Sequence, residues 1–247
     1  MTAEWYFQSN NAQFYKEEMR KLGYNLLLRT IWLLSGKGRL SGCKETWSLH
    51  RLGNLASIIF SNVDKKTYPN EIPVRLCNYT DVYYNKRITK NMPLMKATAT
   101  ENEIQKYKLK KGDIIITKDS EMAEDIAVPC YVAEEIDDIV CGYHLAIIRP
   151  KEIKIHSPFL LQLLMTDYAR CQFTRIATGV TRFGLSLGAV KFIEVTIPPI
   201  SEQRCIAEFL SAADDEIEAL EQKLAALEKQ KHGLMQKLLT GELQVKT

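Results

Sequence analysis

The sequence predicts an α+β fold: a mixed α/β domain of short strands followed by a long C-terminal coiled-coil helix. Three observations predict it. Ile206, Leu210, Ala213, Ile217, Leu220, Leu224, Leu227, Lys231, Leu234 and Leu238 step alternately by four and three residues, an unbroken a/d heptad whose one polar member is Lys231. That spacing keeps one apolar seam facing a partner helix over many turns. Between residues 47 and 200, short apolar runs rich in β-branched side chains are bounded by Gly, Pro, Asn or Asp, the pattern of strands. Pro198-Pro199 then separates the two regimes, ending the last strand where the heptad begins.

Three segments follow from this: 1–46, 47–200 and 201–247. The first reads as partly helical, a degenerate copy of the helix end. Leu33-Leu34-Ser35-Gly36-Lys37 echoes Leu238-Leu239-Thr240-Gly241-Glu242, and Tyr15, Met19, Leu22, Leu26 and Leu33 align with Leu220, Leu224, Leu227, Lys231 and Leu238. In the central segment, strands are expected in IPVRL (72–76), DIIIT (113–117), IAVPCYVA (126–133), YHLAIIRP (143–150) and KFIEVTIP (191–198). Between Ser157 and Thr174 the apolar spacing is helical, with Ser157 as N-cap and Pro158 at N1. Gly184 and Gly188 read as loop. In the last segment Ser201 is placed to cap the helix, Glu202 complements its positive end, and Gly241 fits the C′ position. The helix either runs unbroken to Leu239 or bends near Ser211, where Ser211-x-x-Asp214 is a capping-box variant.

Composition narrows the class. The chain has 247 residues, 26% charged and 46% hydrophobic, and no run of 18 apolar residues, so no membrane span is expected. Its start lacks the basic-then-apolar order of a secretory signal. The six cysteines, at positions 43, 77, 130, 141, 171 and 205, have no metal-binding spacing. A cytoplasmic protein with reduced thiols is the expectation. Charge is segregated along the chain: residues 37–118 carry 16 Lys and Arg against 7 Asp and Glu, whereas residues 119–138 carry 8 acids and no base. A basic body suits a polyanion, and the acidic run is expected to face away from it.

The motifs of the common enzyme classes are absent: there is no GxGxxG, no GxxxxGK[ST] and no GxSxG. No Asn-Pro-Pro-aromatic tetrad marks an adenine methyltransferase. Asp113 opens a strand without the second carboxylate a nuclease needs. No catalytic residue, metal site or cofactor is therefore expected.

The stretch PPISEQRCIAEFLSAADDEI, followed by LEKQKHGLMQKLLTGEL, resembles the conserved region of specificity subunits of type I restriction–modification systems. PVRLCNYTDVYYN (73–85), GDIIITKDSE (112–121), CGYHLAIIRP (141–150) and TGVTRFGLS (178–186) are similar to one class of their target recognition domains. The likeness spans about residues 33–243. Complete subunits of the family have two such domains and two such helices; this chain has one of each, like a half-subunit or the second half of one. The resemblance implies a non-catalytic protein that reads one half of a bipartite double-stranded DNA site. It also implies docking to methyltransferase subunits that hold S-adenosylmethionine, and to a motor–nuclease subunit.

Base reading needs forked or paired hydrogen-bonding groups in the major groove, and phosphate contacts need donors and positive charge. The candidates by that chemistry are Arg75, Asn78, Tyr79, Thr80, Tyr83, Tyr84, Asn85 and Lys86, then Lys118 and Ser120 at a strand end, then Thr178, Thr181 and Arg182 in a glycine-flanked loop. Phe183 reads as core and Tyr143-His144 as a satisfied strand position. Lys65, Lys66, Lys108, Lys110 and Lys111 are available for phosphate. The seam residues Ile206, Leu210, Ile217, Leu220, Leu224, Leu227, Lys231, Leu234 and Leu238 are expected to form an antiparallel homodimer. The competing expectation from another class is a coiled-coil scaffold that binds only proteins.

Overall fold

The computed structural model describes residues 33–34 and 45–242. The chain divides into two compact units, residues 38–207 and residues 1–37 with 208–247. The expected helical copy within residues 1–46 lies outside the described residues, apart from Leu33 and Leu34, which are helical and buried.

The first unit is built on a five-stranded sheet of order β2-β10-β6-β8-β4: β2 (Ala56–Phe60), β4 (Arg87–Ile88), β6 (Ile114–Thr117), β8 (Pro129–Val132) and β10 (Leu145–Pro150). All pairs are antiparallel except β4 with β8. Strand β6 has no alternation, and Ile114, Ile115 and Ile116 are wholly buried, as expected of a strand covered on both faces. A second sheet pairs β3 (Ile72–Cys77) antiparallel with β5 (Met95–Ala99) and parallel with β9 (Ile139–Cys141). Two smaller ribbons join β1 (Ser48–Arg51) to β12 (Glu194–Ile197) and β7 (Asp119–Ser120) to β11 (Phe183–Gly184). The helices of this unit are α1 (Leu52–Leu55), α2 (Tyr79–Tyr83), α3 (Glu101–Tyr107), α4 (Ser157–Leu164), α5 (Asp167–Ile176) and α6 (Leu187–Lys191).

Several local expectations need correction. The helical stretch from Ser157 is two helices: His156 occupies the cap, Ser157 and Pro158 fill the first turn, and Thr166 caps α5 by accepting from the Ala169 N–H. Gly184 is in β11 and Gly188 in α6 rather than in a loop. The long helix α7 runs from Ile200 to Leu239 without interruption at Ser211, about 60 Å at 1.5 Å per residue. It starts at Ile200, so Ser201 lies inside the first turn rather than at the cap: the Gln203 N–H already bonds the Pro199 carbonyl. Gln203 itself is buried: its amide accepts from the His156 N–H at 2.8 Å and donates to the Pro198 carbonyl at 2.8 Å. Within the first unit this side chain ties the start of α7 to the strand–helix switch.

Asp113, which has the look of a lone catalytic carboxylate, is structural. It is 1% exposed, receives both arms of Arg149 at 2.8 and 2.7 Å and caps the Lys110 N–H at 2.8 Å. Burial pushes the thiols of Cys77, Cys130 and Cys141 upward, Cys130 to about 12, so all three are held as neutral apolar side chains. Among the described residues no group of three metal-ligating side chains occurs, and no helix is long and apolar enough to cross a membrane. Removing one partner of a buried, hydrogen-bonded ion pair leaves the other desolvated and unpaired. Asp113→Ala is therefore expected to lower the free energy of unfolding by about 3 kcal/mol in urea titration, while Asp113→Asn recovers part of it.

Candidate nucleic-acid interface

The register of the five-stranded sheet determines where the polar loops emerge. Phe60 pairs with Ala146, Leu145 with Thr117, and Ile116 with Pro129. The C-terminal ends of β2 and β6 and the N-terminal ends of β10 and β8 thus share one edge. Cys77 lies beside Cys141 in the second sheet, so the chain leaves β3 and β9 together, and Gly142 N–H bonds the Cys77 carbonyl at 2.9 Å. A Cβ on Gly142 would approach that carbonyl to 2.7 Å, so glycine permits the crossing. Five stretches meet at this edge: 61–66, 78–86, 118–120, 142–144 and, through pairing of β11 with β7, 178–184. A shallow depression of about 210 Å³ among them is lined by Asp64, Lys65, Asn78, Tyr79, Tyr143 and His144.

Lys118 pins three of these stretches. Its Nζ donates to the Ser61 carbonyl at 2.8 Å and lies 4.3 Å from the centre of the Tyr143 ring. Partial burial lowers its pKa from the ordinary lysine value, with Asp119 opposing the shift. The Ser61 hydroxyl in turn donates to the Cys141 carbonyl at 2.5 Å. Lys118, expected to touch DNA, is instead a clamp between loops. Ser120 is also removed from the surface: it is buried, and its Oγ accepts from the Met122 N–H.

Arg75 needs a similar correction. Its guanidinium forks onto Asp138 at 2.7 and 2.6 Å and donates to the Lys90 carbonyl at 2.7 Å. Asp138 precedes β9, whereas the interface follows it, so Arg75 faces the opposite end of that sheet. The hydrogen bond with Arg75 lowers the Asp138 carboxyl from its ordinary value.

The stretch 78–86 opens with the helix α2. The Asn78 N–H bonds the Asp81 carboxylate at 2.7 Å, closing its first turn. Tyr79 stacks on Tyr83 with ring centres 5.5 Å apart, and Tyr83 meets Tyr84 edge-on. Burial raises the Tyr83 hydroxyl, and the Asp125 carboxylate adds to the shift. Tyr79 and Tyr83 therefore support the helix, and Asn85 turns its amide back to the Asp81 carbonyl at 2.9 Å. Thr80, Tyr84 and Lys86 project outward, Tyr84 with 77% of its surface exposed.

The stretch 178–184 is a tight hairpin closed by Thr178 N–H to Gly184 carbonyl at 3.0 Å and the reciprocal bond at 2.8 Å. Gly179 has φ +142°, and a Cβ there would overlap the Arg182 carbonyl. The tip presents Val180, 95% exposed, with Thr181 and Arg182. Arg182 donates to Asp119 Oδ1 at 2.7 Å, and His144 Nδ1 lies 2.9 Å from both oxygens of the same carboxylate. Tyr143 is half exposed over Lys118. Tyr143 and His144 thus belong to this edge, against the expectation that they are satisfied strand positions. Their chain separation from Asp119 and Arg182 left no local pattern to find them by.

The acidic run does not face away as a block. Asp119 is in the interface, Asp137 pairs with Lys108 and Asp138 with Arg75. Two acids of the run thus neutralise cations of the basic segment directly.

Comparison with known proteins gives the fold a family. The type I restriction modification DNA specificity domain matches residues 44–229, and the chain belongs to that family. It is 24% identical over 214 residues to the type I restriction enzyme MjaVIII specificity subunit of Methanocaldococcus jannaschii, covering 85% of this chain and 49% of that protein. A second protein of that organism, named for the type I restriction enzyme MjaX, is 25% identical over 92% of this chain and 50% of its own length. The chain spans about half the length of these curated relatives. Among solved structures, the HsdS subunit from Thermoanaerobacter tengcongensis shares the fold with a TM-score of 0.57 at 17% identity, over 96% of this chain and 57% of that one.

The hairpin geometry generates a direct test. Gly179→Ala forces a side chain into a positive-φ position against backbone, a strain of about 1–3 kcal/mol. It is expected to open the hairpin and speed tryptic cleavage after Arg182, read by mass spectrometry, while the cooperative unfolding of the rest of the unit is retained.

Proposed function

We propose that this chain reads one half of a bipartite double-stranded DNA target through the loop edge built by residues 61–66, 78–86, 142–144 and 178–184. The observation that carries the reading is convergence: these four stretches, rich in hydrogen-bonding and cationic side chains and far apart in sequence, emerge together at one edge of the sheet system. Thr80, Tyr84, Lys86, Thr178, Thr181 and Arg182 supply outward donors there, and Lys65 and Lys66 add exposed charge beside the depression. Lys118, Ser120, Tyr79 and Tyr83 hold the edge in shape. The chain acts as a specificity element without its own catalysis or cofactor. S-adenosylmethionine belongs to methyltransferase subunits that dock on it, and a motor–nuclease subunit joins the assembly.

Helix α7 is the spacing and pairing element. Ile206 and Leu210 are buried, whereas Ile217, Leu220, Leu224, Leu227, Leu234 and Leu238 are only half-buried and Lys231 is exposed. The seam therefore retains apolar surface for a second helix, in an antiparallel homodimer that brings two recognition units to one DNA. A lysine at an a position fixes register at some cost in stability.

Two measurements check this. Affinity for random duplex is expected to fall with salt at about −0.9 in log–log slope per phosphate contact, reaching about −2.7 when Lys65, Lys66 and Lys86 each neutralise one. The triple alanine variant flattens that slope; a wild-type chain with no slope is a protein scaffold instead. Light scattering at micromolar concentration is expected to give twice the chain mass of 28.3 kDa, and a monomer removes the homodimer from the account.

A further inference from the structure

The hairpin tip, the turn after β9 and the ribbon strand β7 bring Arg182, His144 and Asp119 into one polar group outside the clamp formed by Lys118. The Asp119 carboxylate is at its centre. Arg182 Nη2 reaches Oδ1 at 2.7 Å, and His144 Nδ1 is equidistant from both oxygens at 2.9 Å. A carboxylate accepts only, so His144 Nδ1 carries the proton that is donated to it. The 3.3 Å separation of Arg182 Nη2 from that same nitrogen is then a contact of two donors around one acceptor. Fixing the proton on Nδ1 leaves Nε2 of the neutral ring as an acceptor, without a hydrogen-bond partner among the described residues. Arg182 retains four of its five N–H hydrogens, the second on Nη2 included, so a fork with a neighbouring nitrogen stays open, and 57% of its side chain is exposed.

An exposed ion pair of this kind adds little to stability, about 0–1 kcal/mol, so holding the fold together does not account for it. What it does produce is a fixed arrangement of two donors beside one acceptor at the tip of a rigid hairpin. The major-groove edge of a G·C pair offers the complement: the N7 and O6 acceptors of guanine beside the N4 amino donor of cytosine. No other base pair presents two adjacent acceptors followed by a donor in that order. The Arg fork matches the guanine edge, and His144 Nε2 matches the cytosine amino group.

We propose that Arg182 and His144 together read one G·C base pair of the half-site, with Asp119 as the residue that positions both. This rests on the DNA-reading function proposed above. Tyr143, packed edge-on against His144 with ring centres 4.9 Å apart, limits the tilt of the imidazole. His144 and Asp119 thereby join Arg182 as determinants of specificity, in a protein whose neighbouring lysines contribute affinity alone.

The test is selection of bound duplexes from a random library by the full chain, followed by sequencing. The wild type is expected to select a G·C pair at one position at least tenfold over the alternatives. Arg182→Lys keeps the charge and loses the fork; it is expected to erase that preference with the salt slope unchanged. His144→Ala is expected to relax the same position alone, and Asp119→Asn to weaken it without abolishing it. Selection at the other positions should persist in all three variants, which also verifies that they are folded. Uniform weakening across all positions, or loss of preference at different positions for Arg182 and His144, overturns the pairing and leaves DNA reading intact. A wild-type chain that binds no duplex overturns both proposals.

Discussion

Everything at the candidate interface depends on strand register in the five-stranded sheet. Side chains alternate with a period of two along a strand, so a slip of one residue would turn the apolar faces of β2 and β10 outward and displace the loop ends together. The isoleucine run of β6, buried on both faces, has no alternation to fix its own register, which is therefore secured at the two ends of the strand. Asp113 and Arg149 lock the far edge by a buried fork, and Lys118 locks the near edge by its bond to the Ser61 carbonyl. Between these two ionic anchors lie a few residues of apolar strand. The loops that meet DNA in this account are extensions of a rigid edge, the arrangement that lets irregular segments hold a defined geometry.

Charge is used in two distinct ways in this unit. Arg75, Lys108 and Arg149 have acidic partners away from the interface, so these three cations are committed to the fold. The cations left uncommitted at the loop edge, Lys65, Lys66 and Lys86, provide attraction without sequence content. Arg182 is different: its carboxylate partner orients it while more than half its side chain remains open. A side chain held this way pays less ordering entropy on binding than a free lysine.

Much of the architecture was legible in the sequence. The heptad gave α7, the isoleucine run gave β6, and β3, β8, β10 and β12 followed from apolar runs bounded by turn residues. The two-residue strands β4, β7 and β11 were not legible, since two residues carry no periodicity and their pairing depends on the tertiary fold. β5, in a stretch with Met95, Lys96 and Thr98, lacks a strand's usual composition. For the site, residue types picked out stretches that the fold brings to one edge but not which of their side chains are free. Lys118, Ser120 and Arg75 have the chemistry of contacts and the burial or pairing of structure. His144 failed for the opposite reason: its partners are 25 and 38 residues away, and only the ribbon of β7 with β11 brings them together. Gln203, one polar residue in the helix's first turn ahead of the seam, gave no sign that it ties the helix start to two backbone groups.

The central claim is that one edge of this unit meets DNA, and amide hydrogen exchange on the full chain with and without a saturating duplex tests it most directly. The account predicts slowed exchange in residues 61–66, 78–86, 142–144 and 178–184, with the opposite edge around Lys110–Asp113 and Lys151–Ile155 unchanged. Protection concentrated at that opposite edge, or spread along α7 with none in the hairpin 178–184, would contradict it.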